Sequence, residues 1–440
     1  MSLATPDKIR SLQRKLYGKA KAEPDYRFYL LYDKICREDI LEHAYRLARA
    51  NAGAPGVDGI DFEQIEAAGL EAWLARLREE LVSKTYRPQA VRRVMIPKPG
   101  GGERPLGIPT IRDRVAQTAA KLVLEPIFEA DFEDSAYGYR PQRSAGDAIA
   151  QVHRHLLSGH EEVVDADLSK YFDTIPHREL MQSVARRIVD RHVLHLIKMW
   201  LETPVEERDA DGTRHMKSGK ADRCGTPQGG VISPLLANLY MNRFLKHWRL
   251  TERGEAFCGH IVAYADDFVI LSRCRAAEAL AWTKEVMSKL GLTLNEAKTS
   301  LKDACKERFD FLGYTFGPHH RTKDGRLYTG ASPSKKSVHR IKTKIGEMLT
   351  PANTAPWPKV RQKLNRLLLG WSAYFGYGSL AKAYRDVDHY VVDHVRAFHA
   401  RRNKMQNRGT RSFSRSSIHG ELEVVALWKH HPKPAPTALP

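Results

Sequence analysis

Residues His260–Ser272 read His-Ile-Val-Ala-Tyr-Ala-Asp-Asp-Phe-Val-Ile-Leu-Ser. Two apolar runs, rich in Val and Ile, flank a bare pair of aspartates. Runs of this kind separated by two turn-type residues form a β-hairpin. The pattern puts Asp266 and Asp267 at the hairpin tip, between two buried strands. Adjacent carboxylates in apolar surroundings repel each other and lose hydration, so the arrangement is unfavourable unless a cation binds there. A hard divalent cation with oxygen ligands, such as Mg²⁺, suits the pair. An exposed turn with two ordinary aspartates would use the same letters, so the rest of the chain has to decide.

At 440 residues the chain predicts two or three domains, each able to bury its own core. The formal charge of +19 favours a polyanionic partner, nucleic acid or an acidic membrane surface. No stretch approaches the roughly 20 apolar residues of a membrane span. Met1–Arg10 has no apolar core and is not a secretory signal. The charge therefore points to nucleic acid. The five cysteines are scattered without a Cys-x-x-Cys pair, which offers neither a zinc site nor a disulfide framework. A reducing, cytoplasmic setting is expected, the bacterial cytoplasm or nucleoid.

Apolar spacing predicts helices over Tyr26–Ala50, Leu70–Leu81, Ile111–Phe128 and Ala276–Leu290, with another after a turn in Gly225–Asn242. Gln89–Ile96, the start of Val163–Phe172, and Phe309–Phe316 read as strands. This mixture predicts an α+β domain. Near residue 330 the character changes to three helices, Ser334–Leu349, Pro358–Tyr374 and Lys382–Arg402. The last carries Tyr384, Val387, Val391, Val395 and Phe398 as an amphipathic stripe. The expected divisions are 1–90, 91–330, 331–415, and a partly disordered tail 416–440 whose Pro432–Pro440 end is proline-rich.

Nucleotidyl transfer by two metals needs carboxylates from different strands, converging around ions roughly 4 Å apart. Val163–Asp173 offers Asp165, Asp167 and Asp173 as the second half of such a site. Strand alternation puts Asp165 and Asp167 on one face. Asp173, before Ile175-Pro176-His177, reads as a helix N-cap. Lys98 and Arg104 flank a triglycine turn, which gives a triphosphate flexible backbone and two cations. Gln228 sits beside Gly229 and Gly230, which let a base or backbone approach closely. Lys298 has the chemistry to protonate or neutralise a departing pyrophosphate. Arg140 and Arg143 are candidates for nucleic-acid phosphates, and the resemblance described next makes that strand the template. Lys335, Lys336, Arg340, Lys342 and Lys344, with Arg396, Arg401, Arg402, Lys404, Arg408, Arg411 and Arg415, form dense basic flanks suited to RNA. Trp371, Tyr374 and Phe375 read as core rather than as base-stacking residues.

Eight blocks in order resemble the group II intron-encoded reverse transcriptases, also called maturases. They cover roughly residues 25–400. They are Asn51–Gly59, Ile96–Pro109, Tyr137–Ser144, the Asp167 strand, Gly225–Asn238, the Tyr-Ala-Asp-Asp hairpin, Leu290–Thr299 and Phe311–Tyr314. Asn365–Gly376 resembles the family's thumb, or maturase domain X. The resemblance implies a right-hand polymerase fold, fingers and palm followed by an α-helical thumb. It implies RNA-directed DNA synthesis with two Mg²⁺ ions held by Asp167, Asp266 and Asp267. It makes Phe172, five residues after Asp167, the steric gate that favours dNTPs. Lys98, Arg104, Gln228 and Lys298 become nucleotide contacts, and Leu312-Gly313 the primer grip. The partners implied are intron and template RNA, a DNA primer or target, and dNTPs, with no membrane. The chain lacks the cysteine- and histidine-containing nuclease segment of many members, so no endonuclease is expected. Two other readings remain at this point: a domesticated enzyme in defence or DNA repair, and a pure RNA-binding splicing factor.

Overall fold

The computed structural model describes residues 3–97, 102–208, 211, 214–217, 223–227, 229–320, 324–405 and 412–429. Lys98, Gln228, Arg408, Arg411 and the segment 430–440 lie outside the described residues.

Eleven strands are described: β1 Val91–Pro97, β2 Glu103–Ile108, β3 Glu162–Asp167, β4 Val205–Arg208, β5 Arg214–Lys217, β6 Gly259–Tyr264, β7 Asp267–Ser272, β8 Ser300–Asp303, β9 Phe309–Phe311, β10 Tyr314–His320 and β11 Leu327–Pro333. They form three sheets, ordered β2-β1-β4-β5, β6-β7-β3-β8 and β11-β10-β9. Helices surround them, so the α+β class holds.

The β6-β7-β3-β8 sheet positions the site. On one face Val164, Ala166, Phe268 and Ile270 join a large core with the helix Ser233–Leu250. Phe244 of that helix packs on Phe268 with ring centroids 5.4 Å apart. On the other face Val163, Val262, Val269 and Leu271 pack with the helix Ala145–Leu157 and with Phe309, Phe311 and Phe316. Burial on both faces explains why Phe-Val-Ile-Leu runs without alternation. Burying such side chains stabilises by about 2 kcal/mol each.

Several local expectations change. Tyr26–Ala50 is not one helix. Phe28 pairs with Ile188 in an isolated bridge, and only the turn Tyr32–Ile35 and the helix Glu38–Ala50 are helical. Phe309–Phe316 is two strands, because Leu312 and Gly313 have φ of 49° and 78° and reverse the chain. Asp173 is not a helix cap. It lies inside the single turn Tyr171–Thr174, and the helix His177–Ala185 starts after Pro176 without a side-chain cap. The N-terminal helix Asp7–Ala22 was not anticipated.

The C-terminal helices are Lys335–Met348, Trp357–Tyr374 and Ala381–Arg402. Ile341, Leu364, Leu368, Val387, Val391 and Val395 form their separate core. Asp388, fully buried, accepts from the backbone N–H groups of Leu427 and Trp428 at 2.9 and 3.0 Å, which fastens the following segment. Among the described residues no helix is long and apolar enough to cross a membrane.

Candidate active site

The hairpin turn falls one residue earlier than the letters suggest. Tyr264 pairs with Asp267, so the two turn residues are Ala265 and Asp266, and Asp267 is the first residue of β7. Asp267 in turn pairs with Asp167, the last residue of β3. Directly paired residues of antiparallel strands project to the same face. Asp167 and Asp267 therefore stand side by side, Asp165 lies on their face two residues back, and Asp266 caps the edge.

Ala265 has φ of 58°, a left-handed conformation that costs a non-glycine residue about 1–2 kcal/mol. The Tyr137–Tyr139 segment braces it. Tyr137 N–H donates to the Ala263 carbonyl and Ala263 N–H to the Ser135 carbonyl, both at 2.8 Å. A Cβ on Gly138 would lie 2.4 Å from the Ala265 nitrogen, so only glycine lets this segment seat against the turn. Asn238 Nδ2 donates to the Gly138 carbonyl at 2.6 Å. Gly138 and Asn238 were missed as site residues. The glycine between two tyrosines was the available signal.

Burial, then the charges of Asp266, Asp167 and Asp165, pushes the Asp267 carboxyl up to about 6. Burial also raises Asp165 to about 6, against the pull of Lys302 and with the help of Asp310. Asp266 is raised by burial and then by Asp167. Oxygen donors alone, anionic and crowded, are the set a hard divalent cation takes, so these residues fit the ion that the hairpin predicts.

Lys298 Nζ lies 3.1 Å from Asp167 Oδ2, and Asn295 Nδ2 donates to the same oxygen at 3.1 Å. Asn295 N–H also donates to the Asp167 carbonyl at 2.8 Å, which fixes the end of β3. Asn295 was not singled out beforehand. A cavity of about 430 Å³ joins Asp165, Asp167, Asp267 and Lys298 to Leu312.

Phe172 is partly buried, and its carbonyl accepts from Thr226 N–H at 2.6 Å. Gly229, at φ 110°, comes so near the Gly107 carbonyl that a Cβ would sit 2.1 Å from it. The loop on either side of position 228 thus spans from Phe172 to β2, the strand that carries the exposed Arg104. Burial, and then the charge of Asp266, raises the Tyr139 hydroxyl, against the pull of Arg104.

Arg140 is a correction. Its side chain is 3% exposed and paired with Glu129 at 2.7 Å. It also donates to the carbonyls of Glu133 and Ala136 at 2.7 and 2.8 Å, so it ties a loop together and has no donor aimed at a template. Arg143 pairs with the exposed Asp134 at 2.7 Å near the surface. The basic flanks also divide. Arg396, Arg401 and Arg402 donate to the carbonyls of Phe413, Leu349 and Asn353, whereas Lys335, Lys336, Arg340 and Lys344 are exposed on one helix. Phe375 is buried, as expected of core, while Tyr374 is 45% exposed.

The Leu312–Gly313 turn is bolted to the C-terminal helices. Tyr374 Oη donates to the Leu312 carbonyl, and Ser334 N–H and Ser337 Oγ donate to the Gly313 carbonyl, all at 2.9 Å.

Residues 96–316 match the family described as reverse transcriptase (RNA-dependent DNA polymerase), and residues 338–415 match the group II intron maturase-specific domain. Protein YkfC of Escherichia coli K12 is 36% identical over 347 residues, 70% of this chain and 87% of that protein. The group II intron-encoded protein LtrA of Lactococcus lactis subsp. cremoris is 36% identical over 220 residues, 50% of this chain and 35% of LtrA. An uncharacterized 91 kDa protein in the cob intron of Schizosaccharomyces pombe is 29% identical over 339 residues, 64% of this chain and 41% of that protein. The chain thus spans most of the first relative and well under half of the other two. The paired aspartates fall inside the first matched segment and the helical core inside the second, and the chain belongs to the RNA-directed DNA polymerases of the group II intron reverse transcriptase and maturase family.

Proposed function

We propose that the chain copies RNA into DNA at Asp167, Asp266 and Asp267 with two Mg²⁺ ions, and that it also binds intron RNA to assist splicing and mobility. The observation that carries this reading is the register pairing Asp167 with Asp267 beside the Asp266 turn. Asp167, Asp266 and Asp267 would hold the ions, which would supply Lewis-acid activation of the primer 3′-hydroxyl and charge stabilisation at the transferred phosphate. The protein's own part is positional. Gly138 and Asn295 keep the carboxylates in register, so little reorganisation is needed as substrate arrives. Lys298 leaves Asp167 to neutralise the departing pyrophosphate or give it a proton. Arg104, together with Lys98, meets the triphosphate from the β1–β2 side. The Phe172 ring excludes a ribose 2′-hydroxyl, and Gln228 lines the base and template side of the pocket. Leu312 and Gly313 receive the primer strand, and Arg143 remains the nearby candidate for template phosphate.

In this reading β1–β2 and the N-terminal helices are fingers, the β6-β7-β3-β8 sheet is palm, and the C-terminal helices are thumb. The exposed Lys335, Lys336, Arg340 and Lys344 form an RNA-facing cationic strip.

The test is primer extension on an RNA template with dNTPs and Mg²⁺, wild type beside Asp266→Ala. Extension by wild type alone, with RNA affinity within about twofold in both, is the expected result, since the lost carboxylate acts on the transition state rather than on RNA. Synthesis by the variant would overturn the site. RNA binding without extension by either protein would favour a splicing factor.

A further inference from the structure

Three histidines converge at the other end of β6 from the catalytic turn. His155 lies near the C-terminus of the helix Ala145–Leu157, His160 in the turn that leads into β3, and His260 second in β6. One ligand atom from each lies within 4.8 Å of the other two. The His155 and His260 rings stack with centroids 4.1 Å apart, and the His160 ring stands at 62° to His260 at 4.7 Å. Four strand steps separate His260 from Tyr264, roughly 13 Å at strand rise, and the catalytic turn lies beyond, so RNA-templated synthesis does not use this cluster.

We propose that His155, His160 and His260 bind one borderline divalent transition-metal ion of the Zn²⁺ class, as a structural clamp. Imidazoles suit Zn²⁺, Ni²⁺ or Cu²⁺ and not the hard Mg²⁺ of the carboxylate site. A second shell is already present. His160 Nδ1 lies 3.0 Å from Ser158 Oγ and 3.3 Å from the His155 carbonyl, which leaves Nε2 as the ligand atom. Gln151 Nε2 donates to His155 Nε2 at 2.8 Å, so the His155 lone pair faces Gln151 and turns to the ion when that bond is released. His155 is half-buried, His160 buried and His260 exposed, so the cluster opens to solvent on the His260 side.

Tetrahedral Zn–N bonds of about 2.1 Å ask for ligand atoms about 3.4 Å apart. The His155 and His160 rings are the widest pair, with centroids 5.8 Å apart, so these two close towards each other while the exposed His260 ring turns out of its stack. Burial holds all three imidazoles below the usual histidine pKa, which leaves lone pairs free at neutral pH. Arg273, whose charge reaches both His160 and His260, opposes the ion and moderates its affinity. The bound ion would join the end of one helix, the turn before β3 and an edge strand.

The experiment uses the full chain, stripped with EDTA and returned to excess Mg²⁺ so that the carboxylates are occupied. Zn²⁺ is titrated by calorimetry, and Co²⁺ is added as a visible-absorbing probe. One equivalent of Zn²⁺ with a rise in Tm, and a tetrahedral Co²⁺ spectrum, is expected. His260→Gln, an exposed change, should weaken Zn²⁺ binding by at least about tenfold and leave primer extension intact. His160→Gln should do the same, and Arg273→Gln should tighten binding. No stoichiometric Zn²⁺ in the presence of Mg²⁺ overturns the proposal. So does Zn²⁺ affinity unchanged in both His260→Gln and His160→Gln.

Discussion

Asp267→Asn should abolish DNA synthesis and yet make the metal-free protein more stable. The wild-type carboxyl is raised from 3.8 to about 6. A group whose folded pKa lies above its unfolded value takes up protons on folding between the two. Its contribution is most favourable below pH 4 and is lost as pH rises towards 6. At pH 7.5 the folded state carries the full cost of the crowded charge. At about 1.4 kcal/mol per tenfold in the proton equilibrium, the ceiling is about 3 kcal/mol. Asp267 opens onto the cavity, and solvent screening there brings the figure to about 1–2 kcal/mol. For a folding unit of this size that is about 2–4 °C in Tm. The assay is a thermal melt in EDTA at pH 5 and pH 7.5, followed by Mg²⁺ titration. The variant should melt higher at pH 7.5, the gap should shrink at pH 5, and Mg²⁺ should raise the wild type more. Equal melting at pH 7.5, or equal response to Mg²⁺, refutes the reasoning.

Three other substitutions separate roles from packing. Gly313→Ala puts a Cβ 2.9 Å from Ser337 Oγ and 3.3 Å from Phe375 Cζ at a φ of 78°, a strain of about 1–2 kcal/mol. It should raise the primer KM severalfold in a primer titration while RNA affinity holds; an unchanged primer KM removes the grip role. Arg140→Ala leaves Glu129 without its partner and should destabilise by about 3–5 kcal/mol in thermal melts. Lost template affinity without a drop in Tm would restore Arg140 as a template contact. Phe172→Ala should raise the ratio of rNTP to dNTP kcat/KM in single-nucleotide incorporation, and an unaltered ratio would leave Phe172 as core.

The central sheet and the three C-terminal helices were legible in the sequence because burial there is patterned along the chain. Val-Val-Asp-Ala-Asp and Phe-Val-Ile-Leu name their strands, and the stripe from Tyr384 to Phe398 names its helix. What escaped depends on backbone dihedrals or on residues distant in sequence. Composition does not reveal that Ala265 takes a left-handed φ and shifts the turn by one residue. Leu312 hides a strand break inside an apolar run in the same way. The helix Asp7–Ala22 buries only Ile9, Leu16 and Ala20 among many lysines and arginines, so its stripe was thin. Arg140 reads as a template-phosphate contact in the sequence because Glu129, its partner, is eleven residues away. Asn295 and Asn238 carry no catalytic chemistry, and only the fold reveals which carbonyl or carboxylate each one holds.

The Leu312–Gly313 turn makes no independent choice of position. Its two carbonyls are fastened by three hydrogen bonds to Ser334, Ser337 and Tyr374. Tyr314, just beyond the turn, donates from Oη to the Tyr374 carbonyl at 3.1 Å. Lys335 and Lys336 begin the helix directly after Ser334, both exposed, with Lys336 on the rim of the cavity 4.0 Å from Asp310. A load applied to that cationic strip is therefore delivered at the cavity rim as displacement, with the helix as the lever arm and the turn as its short end.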